Sequence, residues 1–468
     1  MLRRFTFDQI APDRPLSLSR AYNVLPRADG FAPVKSPVSF AAALPGILNG
    51  AAYISSDGNA TMLGGTPSGL YSYDGTAWSL ELAEVSITAW RFTQFGDNVV
   101  AVNGGVPVKY GLTTGSAADL GGDPPVSDLV ATVRNQVFLA GDPSATNVVS
   151  ISGYNDSEGW AAGDNQCIIV PFPSGGAIMG LAGGETGIIL QRNAVKRATY
   201  NADGITWWTF DELANDVGCM AKGSVAQAGN LVFWLSEEGF KVTDRNTITP
   251  IGKEKIDNEF FSLYSRDDIA NMTCAVDPRT TTVMWGIRGT PGRIWLYDWT
   301  LQEWATIDLS LSAIFSGFTS STSIEGIDTL YPGGIDSVPI SLDSDVFAGG
   351  NPLFIVASFD GAINTLSGPN MAAEFSIKPI EVSENARRVR IRGARVVSDA
   401  IQGTVTVDVR ARAGDPVDSV VSGGIRDNGR VPLRANGRHV GITVDIPAAA
   451  VWSYVLAVDI EYEESGER

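Results

Sequence analysis

The chain is poor in histidine, the side chain most often used for proton transfer. It has one histidine, His439, in 468 residues. A Ser-His-Asp or Cys-His arrangement needs an imidazole beside its nucleophile, and His439 falls in a strand-like stretch near the C-terminus, away from any nucleophile elbow. Its three cysteines, Cys167, Cys219 and Cys274, lie far apart with no CxxC spacing. That pattern suggests no disulfide framework or zinc site, and suits buried or half-buried thiols in a reducing compartment. No HExxH, P-loop or EF-hand signature is present. The glycine-rich piece GLAGGETG (Gly180 to Gly187) has no strand-to-helix context for cradling a phosphate and reads as a turn between strands. Among 52 Asp and Glu, no carboxylate pair is singled out by spacing. The expectation is a protein that is not an enzyme and takes no cofactor or metal. Long apolar runs are also missing, so no membrane helix or membrane anchor is expected. Met1-Leu2-Arg3-Arg4-Phe5 starts basic, but Asp8, Pro12 and Asp13 interrupt before an apolar signal region forms. A soluble protein made in the cytoplasm is expected.

What is abundant points to strands. Hydrophobic residues make up 44% and charged residues 18%, which suits a folded chain. Fifty-one glycines and 24 prolines disfavour helix interiors and suit many short strands with tight turns. The net charge of −18 argues against tight nucleic-acid binding, although an acidic wall can stand around DNA without gripping it. Turn-then-apolar-strand units recur: GNATMLGGTPSG at Gly58, GDNVVAVNGG at Gly96, RNQVFLAGD at Arg134, ETGIILQRN at Glu185, GNLVFWLSEEG at Gly229 and RTTTVMWGIRG at Arg279. Anchored on Thr61, Val99, Val137, Ile188, Val232 and Val283, they repeat every 38 to 51 residues. This drifting period predicts an all-β chain built on a β-propeller, six blades favoured within a range of six to eight. GLYSYDGTAW (Gly69 to Trp78) and GRIWLYDWTLQEW (Gly292 to Trp304) share a strand, a Tyr-Asp turn and a closing Trp, as kelch-type blades do. DTLYPGG at Asp328 and PLFIVASFDGAINTLSG at Pro352 read as final blade material, with a long inter-strand loop between Ser316 and Gly350.

The two ends differ from this repeat. Residues 1–43 are proline-punctuated and read as an extended arm lying on the chain's own propeller or on a neighbouring subunit. The propeller is assigned to residues 44–373. From 374 to 468, period-2 stretches such as EFSIKPIEVS, RRVRIRGARVV, GTVTVDVRAR, RHVGITVDIP and SYVLAVDIEYEE predict an antiparallel β-sandwich of five or six strands. Asp427-Asn428-Gly429 and Ala435-Asn436-Gly437 read as its turns. In RRVRIRGAR, Arg388, Arg390 and Arg392 alternate with Val389 and Ile391, so the arginines share one face. Residues 377–468 carry 13 Lys/Arg and 13 Asp/Glu, so the acidity belongs to the rest of the chain. The arginine row is either a solvated face paired with nearby carboxylates or a contact to an acidic neighbour, a partner subunit or DNA phosphate.

YNVLPRADGF, GLYSYDGTAW followed by WRFTQFGDNVVAVNGGVPVKY, DELANDVGCMAKGSVAQAGNLVFWLSEEGF, and the C-terminal DNGRVPLRANGRHVGITVDIPAAAVWSYVLAVDIEYEESGER resemble the tail nozzle proteins of short-tailed bacteriophages. These are also called tail accessory or packaged-DNA stabilisation proteins. The resemblance is one of pattern and order along nearly the whole length. One departure is His439 directly after Asn-Gly-Arg, where an aromatic residue is often expected first. The resemblance implies a structural virion protein, a propeller subunit assembled as a homo-oligomeric ring of six at the distal end of the portal and its head-to-tail adaptor. Such a ring retains packaged DNA, conducts the duplex during ejection without binding it tightly, and is a platform for fibres or spikes and for a needle or plug. Arg388, Arg390 and Arg392 would then contact the adaptor or a neighbouring subunit. A reading of another class is a carbohydrate-binding or depolymerase propeller, since 11 Trp and 12 Tyr could stack on sugars of a host receptor. The competing use of those rings is packing between blades.

Overall fold

The computed structural model describes residues 1–7, 17–56, 59–202, 206–277, 279–318, 352–383, 387–426 and 428–465. Six consecutive stretches of chain each fold into a four-stranded antiparallel meander, starting at Gly50, Arg91, Leu129, Ile178, Ala226 and Thr273. A seventh sheet joins Ala313–Phe318, Pro352–Ala357 and Ile363–Asn370 to a strand from the other end of the chain, Lys35–Ala41. First strands of adjacent blades lie against one another, and Ala313–Phe318 meets Gly50–Ser56, which closes the ring. The described residues therefore form a seven-bladed propeller, one blade more than the favoured count. The six anchors explain the difference. Each lies on the second strand of one of blades one to six. Blade seven has its second strand at Pro352–Ala357, beyond residues 319–351, and borrows its outer strand from the N-terminal segment. Most of the loop expected between Ser316 and Gly350, with DTLYPGG, lies outside the described residues.

Blade two shows how a unit is made. Trp90 precedes the inner strand Arg91–Phe95, and Gly96 turns the chain with a φ of 57° into the fully apolar middle of Asn98–Val102. Trp90 is buried, and its indole Nε1 donates to the Thr66 carbonyl of blade one at 3.0 Å. A Cβ on Gly65 would stand 2.2 Å from this indole, so the bare glycine lets the ring wedge between blades. Val99, Ala101, Val108 and Tyr110 then pack with Leu63 and Leu70 of blade one, while Val100 and Val102 pack with Val137 and Leu139 of blade three. Each sheet thus buries one face on each neighbour, the condition under which a short meander becomes stable.

The C-terminal sandwich has two sheets. In one, Val389–Ser398 lies between Arg430–Gly437 and Val455–Glu464, and Leu2–Thr6 adds to Val455–Glu464. In the other, Ala373–Glu381, His439–Ile446, Thr404–Arg410 and Ser419–Gly424 follow in order. Seven strands come from residues 373–464, more than the five or six expected. Ala435-Asn436-Gly437 is strand and not turn. Arg430–Gly437 alternates strictly, with Val431, Leu433 and Ala435 facing in, so its polar residues are the solvent half of a strand.

The segment read as an arm is extended, and it is woven into its own chain. Leu18–Tyr22 sits between Ala373–Glu381 of the sandwich and Glu303–Leu311, the outer strand of blade six. Blade six and one sandwich sheet thereby become a single nine-stranded sheet. Asn23 reinforces the seam. Its backbone N–H donates to the Thr306 carbonyl at 2.6 Å, and its side-chain oxygen accepts from the Asp308 N–H at 2.8 Å. Beneath the seam Phe375 stacks on Phe7, ring centroids 5.1 Å apart, and meets Phe31 at a tilt, centroids 5.7 Å apart.

Candidate functional site

Two basic regions stand out on this acidic chain. The first is the row named from sequence. Arg390 and Arg392 are exposed on the outer face of Val389–Ser398 while Val389 and Ile391 are buried, as the alternation predicts. Arg388 is exposed just before this strand, and its carbonyl accepts the Ser465 N–H at 2.9 Å. A bulge between Ile391 and Gly393 brings Arg395 to the same exposed side. Arg430 and Arg434 extend the row onto the adjacent strand. Sequence reading missed these last three because they depend on the bulge and on a strand read partly as turn. Arg392 pairs with Glu463 and Arg430 with Glu461, so part of the row is matched by carboxylates of Val455–Glu464. On the same side of Val455–Glu464, Asp459 lies opposite Arg395 and is bound by Arg4 of the added strand. His439 is elsewhere in the sandwich, its Nδ1 3.1 Å from the Ala411 carbonyl and its Nε2 3.4 Å from Glu381.

The second region lies on the propeller axis. A cavity of about 940 Å³ is lined by residues of the first strands of all seven blades. Among the described residues, its charged lining groups are Arg91, Asp128, Lys222 and Arg288, three cations and one carboxylate. All four cluster at one mouth. Arg91 opens the inner strand of blade two and Asp128 immediately precedes that of blade three. Lys222 begins the short turn Lys222–Ser224 before Ala226–Ala228, and Arg288 follows Thr282–Ile287 of blade six. Lys222 Nζ donates to Asp128 Oδ2 at 2.5 Å, so the carboxylate already has its cation. Arg91 donates to the Asp128 backbone carbonyl at 2.8 Å, and an Arg288 Nη reaches the Asn49 carbonyl at 3.4 Å. Burial pulls both guanidinium pKa values below their ordinary range, and for Arg288 the charge of Arg91 adds to the effect. Arg288 Nε and Asp128 Oδ1 are buried without a hydrogen-bond partner among the described residues. Nothing in the sequence flagged these residues, because their proximity exists only once the ring closes.

The environment of all three thiols disfavours the thiolate. Burial pushes Cys219 up to about 11 and Cys274 up to about 12, and Cys274 Sγ donates to the Val225 carbonyl at 3.0 Å. Cys167 is buried and also raised, first by burial and then by Asp164. No group of three or more His, Cys, Asp or Glu with metal-binding geometry occurs among the described residues. No described helix is long and apolar enough to cross a membrane. Eight of the 11 tryptophans are buried, so most of these rings are spent on packing.

No protein-family model matches the chain, and no curated protein matches it in sequence. Among solved structures, it is similar to the WD40 domain of Neurospora crassa Pan2, at 11% identity and a TM-score of 0.42, over 72% of this chain and 97% of that one. It is also similar to the RRP9 WD40 repeats, at 9% identity and a TM-score of 0.41, over 72% and 99%. An extracellular domain of a two-component system from B. thetaiotaomicron gives 10% identity and a TM-score of 0.43, over 89% of this chain and 47% of that one. All three TM-scores lie below 0.5, and the β-propeller is established by the blades described above.

Proposed function

We propose that this chain is a non-catalytic wall subunit, one copy of a ring at the distal end of the portal–adaptor channel of a short-tailed bacteriophage. There it retains packaged DNA, conducts it during ejection and carries fibres or spikes. The observation that carries this reading is the division of charge. The basic row of Arg388, Arg390, Arg392, Arg395, Arg430 and Arg434 lies on one face of a neutral sandwich, while the −18 resides on the propeller-bearing remainder. A head-to-tail ring needs two different complementary patches on each copy, and a basic sandwich face against an acidic neighbour supplies them. The woven N-terminal segment supports the same reading, because a wall that bears internal pressure benefits from propeller and sandwich sharing one sheet. An acidic wall also lets a polyanion pass without the salt-dependent grip of many phosphate contacts.

Electron microscopy of particles from the phage that encodes this chain tests the reading, with a distal ring as the expected result. Changing Arg388, Arg390 and Arg392 together to Glu should leave the isolated chain folded and abolish ring assembly. Finding the protein in separate fibres, finding it absent from particles, or obtaining normal particles from the triple variant would each defeat it. Cleavage or tight binding of host surface polysaccharide by the purified chain would favour the carbohydrate reading instead.

A further inference from the structure

Among the described residues, the channel mouth gathers three cations and one carboxylate. Of its three cations, Lys222 is taken by Asp128, the single carboxylate among the lining residues. Arg91 and Arg288 line the cavity with backbone carbonyls as their partners among the described residues, the Nη groups of Arg288 being its exposed donors since its Nε is buried. Surface arginines can relax into water, but these two are held in a partly desolvated wall where burial disfavours both charges and Arg91 further opposes that of Arg288. An arrangement that disfavours the empty state in this way is suited to an anionic ligand. The net charge of the four lining groups is +2, which matches the charge of about −1.5 to −2 that a phosphate monoester carries near neutral pH. Guanidinium forks are also the side chains best shaped for phosphate oxygens.

We infer that the mouth of the propeller channel is a binding site for a small phosphate monoester, with Arg91 and Arg288 as the principal phosphate ligands. The cavity below the mouth is lined by apolar groups including Met179, Leu181, Ile314 and Phe315. At about 940 Å³ it is in the range that accommodates a small organic molecule, so the ester's organic part enters there. The site is separate from the sandwich arginine row and does not depend on ring assembly.

The test uses the full chain, titrated with inorganic phosphate and with phenyl phosphate by calorimetry and thermal unfolding at constant ionic strength set with chloride. Both anions should raise Tm beyond chloride, with a concentration dependence that follows ligand linkage. Phenyl phosphate should bind more tightly than inorganic phosphate. Arg288→Gln and Arg91→Gln should each weaken phosphate binding at least tenfold. In phosphate-free buffer Arg288→Gln should unfold at or above the wild-type temperature, because it removes a like-charge contact and an unpartnered buried Nε. That result separates lost binding from lost folding, and Arg288→Lys, which keeps the charge, should retain part of the affinity. Arg390→Glu on the sandwich should leave phosphate binding unchanged. No shift beyond chloride, wild-type affinity in Arg288→Gln, loss of binding in Arg390→Glu, or phenyl phosphate binding no tighter than phosphate would overturn the assignment.

Discussion

The rings of Tyr297 and Trp304 face each other across the third and fourth strands of blade six, centroids 4.8 Å apart and planes tilted by 40°. Tyr73 and Trp78 hold the same positions in blade one at 5.1 Å and 42°. In both, the turn between the rings is held by an aspartate: Asp298 Oδ1 accepts the N–H groups of Thr300 and Leu301, and Asp74 Oδ1 accepts those of Thr76 and Ala77. Blade five repeats the turn with Asp244, Asn246 and Thr247.

The two tryptophans differ in what surrounds them, and their variants should differ accordingly. Trp304 is fully buried, stacks on Trp285 at 5.7 Å and donates to the Ile251 carbonyl at 3.0 Å. Trp304→Ala should cost about 3–5 kcal/mol in denaturant unfolding, the usual range for a buried large aromatic. Trp78 is only half-buried and donates to the Ala42 carbonyl at 2.7 Å. Trp78→Ala should cost less than half as much as Trp304→Ala. Equal losses would mean that burial does not set the value of this repeat position.

The same pair shows what could be read before any coordinates. Tyr-Asp-turn-Trp was legible because all its parts lie within a dozen residues, and the six anchors were legible because they recur on equivalent second strands. Arg388, Arg390 and Arg392 were legible for the same local reason, the period of two along one strand. The seventh blade was not, since Lys35–Ala41 reaches Ile363–Asn370 from the far end of the chain. The channel mouth was also hidden: Arg91, Asp128, Lys222 and Arg288 come from different blades, and no spacing along the chain encodes ring closure.

Asp257 should make stability depend on pH in a particular direction. It opens the short helix Asp257–Leu263, and its carboxylate fits against Gly239 and Gly252, where an added Cβ would come within 1.9 Å of it. Its Oδ1 accepts the Phe240 N–H at 3.2 Å, yet burial dominates and pushes the group up to about 6. A carboxyl raised above its unfolded value of about 3.9 is disfavoured in its charged form on folding. The penalty is complete above pH 6 and fades as pH falls toward 4. Asp257→Asn can still accept from Phe240, so its Tm relative to wild type should be highest at pH 7.5 and decline by pH 5. A difference independent of pH, or one that grows on acidification, would contradict the assignment.

At the seam between domains, Arg293 binds Asp308 through two contacts, at 2.6 and 2.9 Å, and lies over the ring of Tyr22 at 4.6 Å. Burial opposes its charge, but the hydrogen bonds and charge of Asp308 outweigh that and hold the guanidinium above its ordinary value. A two-point pair in a partly enclosed place should be worth more than a surface ion pair. A double-mutant cycle with Arg293→Ala and Asp308→Ala should give a coupling of about 1–3 kcal/mol. Coupling near zero would place the strength of the seam in its backbone pairing alone.

The N-terminal segment contributes at two separable places, and truncation should separate them. Removing residues 1–7 deletes Leu2–Thr6 and the two-point bond from Arg4 to Asp459, at 2.8 and 2.9 Å, taking the cover and the partner from a carboxylate that is 3% exposed in the intact chain. The sandwich should lose stability while the ring of blades persists, because Lys35–Ala41 is still present. Removing residues 1–43 also deletes that strand and Leu18–Tyr22. Blade seven then has three strands, Ile363–Asn370 becomes an open edge, and blade six loses its connection to the sandwich. An exposed strand edge recruits other chains, so this shorter protein should elute as aggregate, whereas the chain lacking only residues 1–7 should elute as a discrete species with a lower Tm. If the chain beginning at residue 44 were monodisperse with an unchanged strand signal in circular dichroism, the closing strand would be dispensable and the ring would be held by its blade interfaces alone.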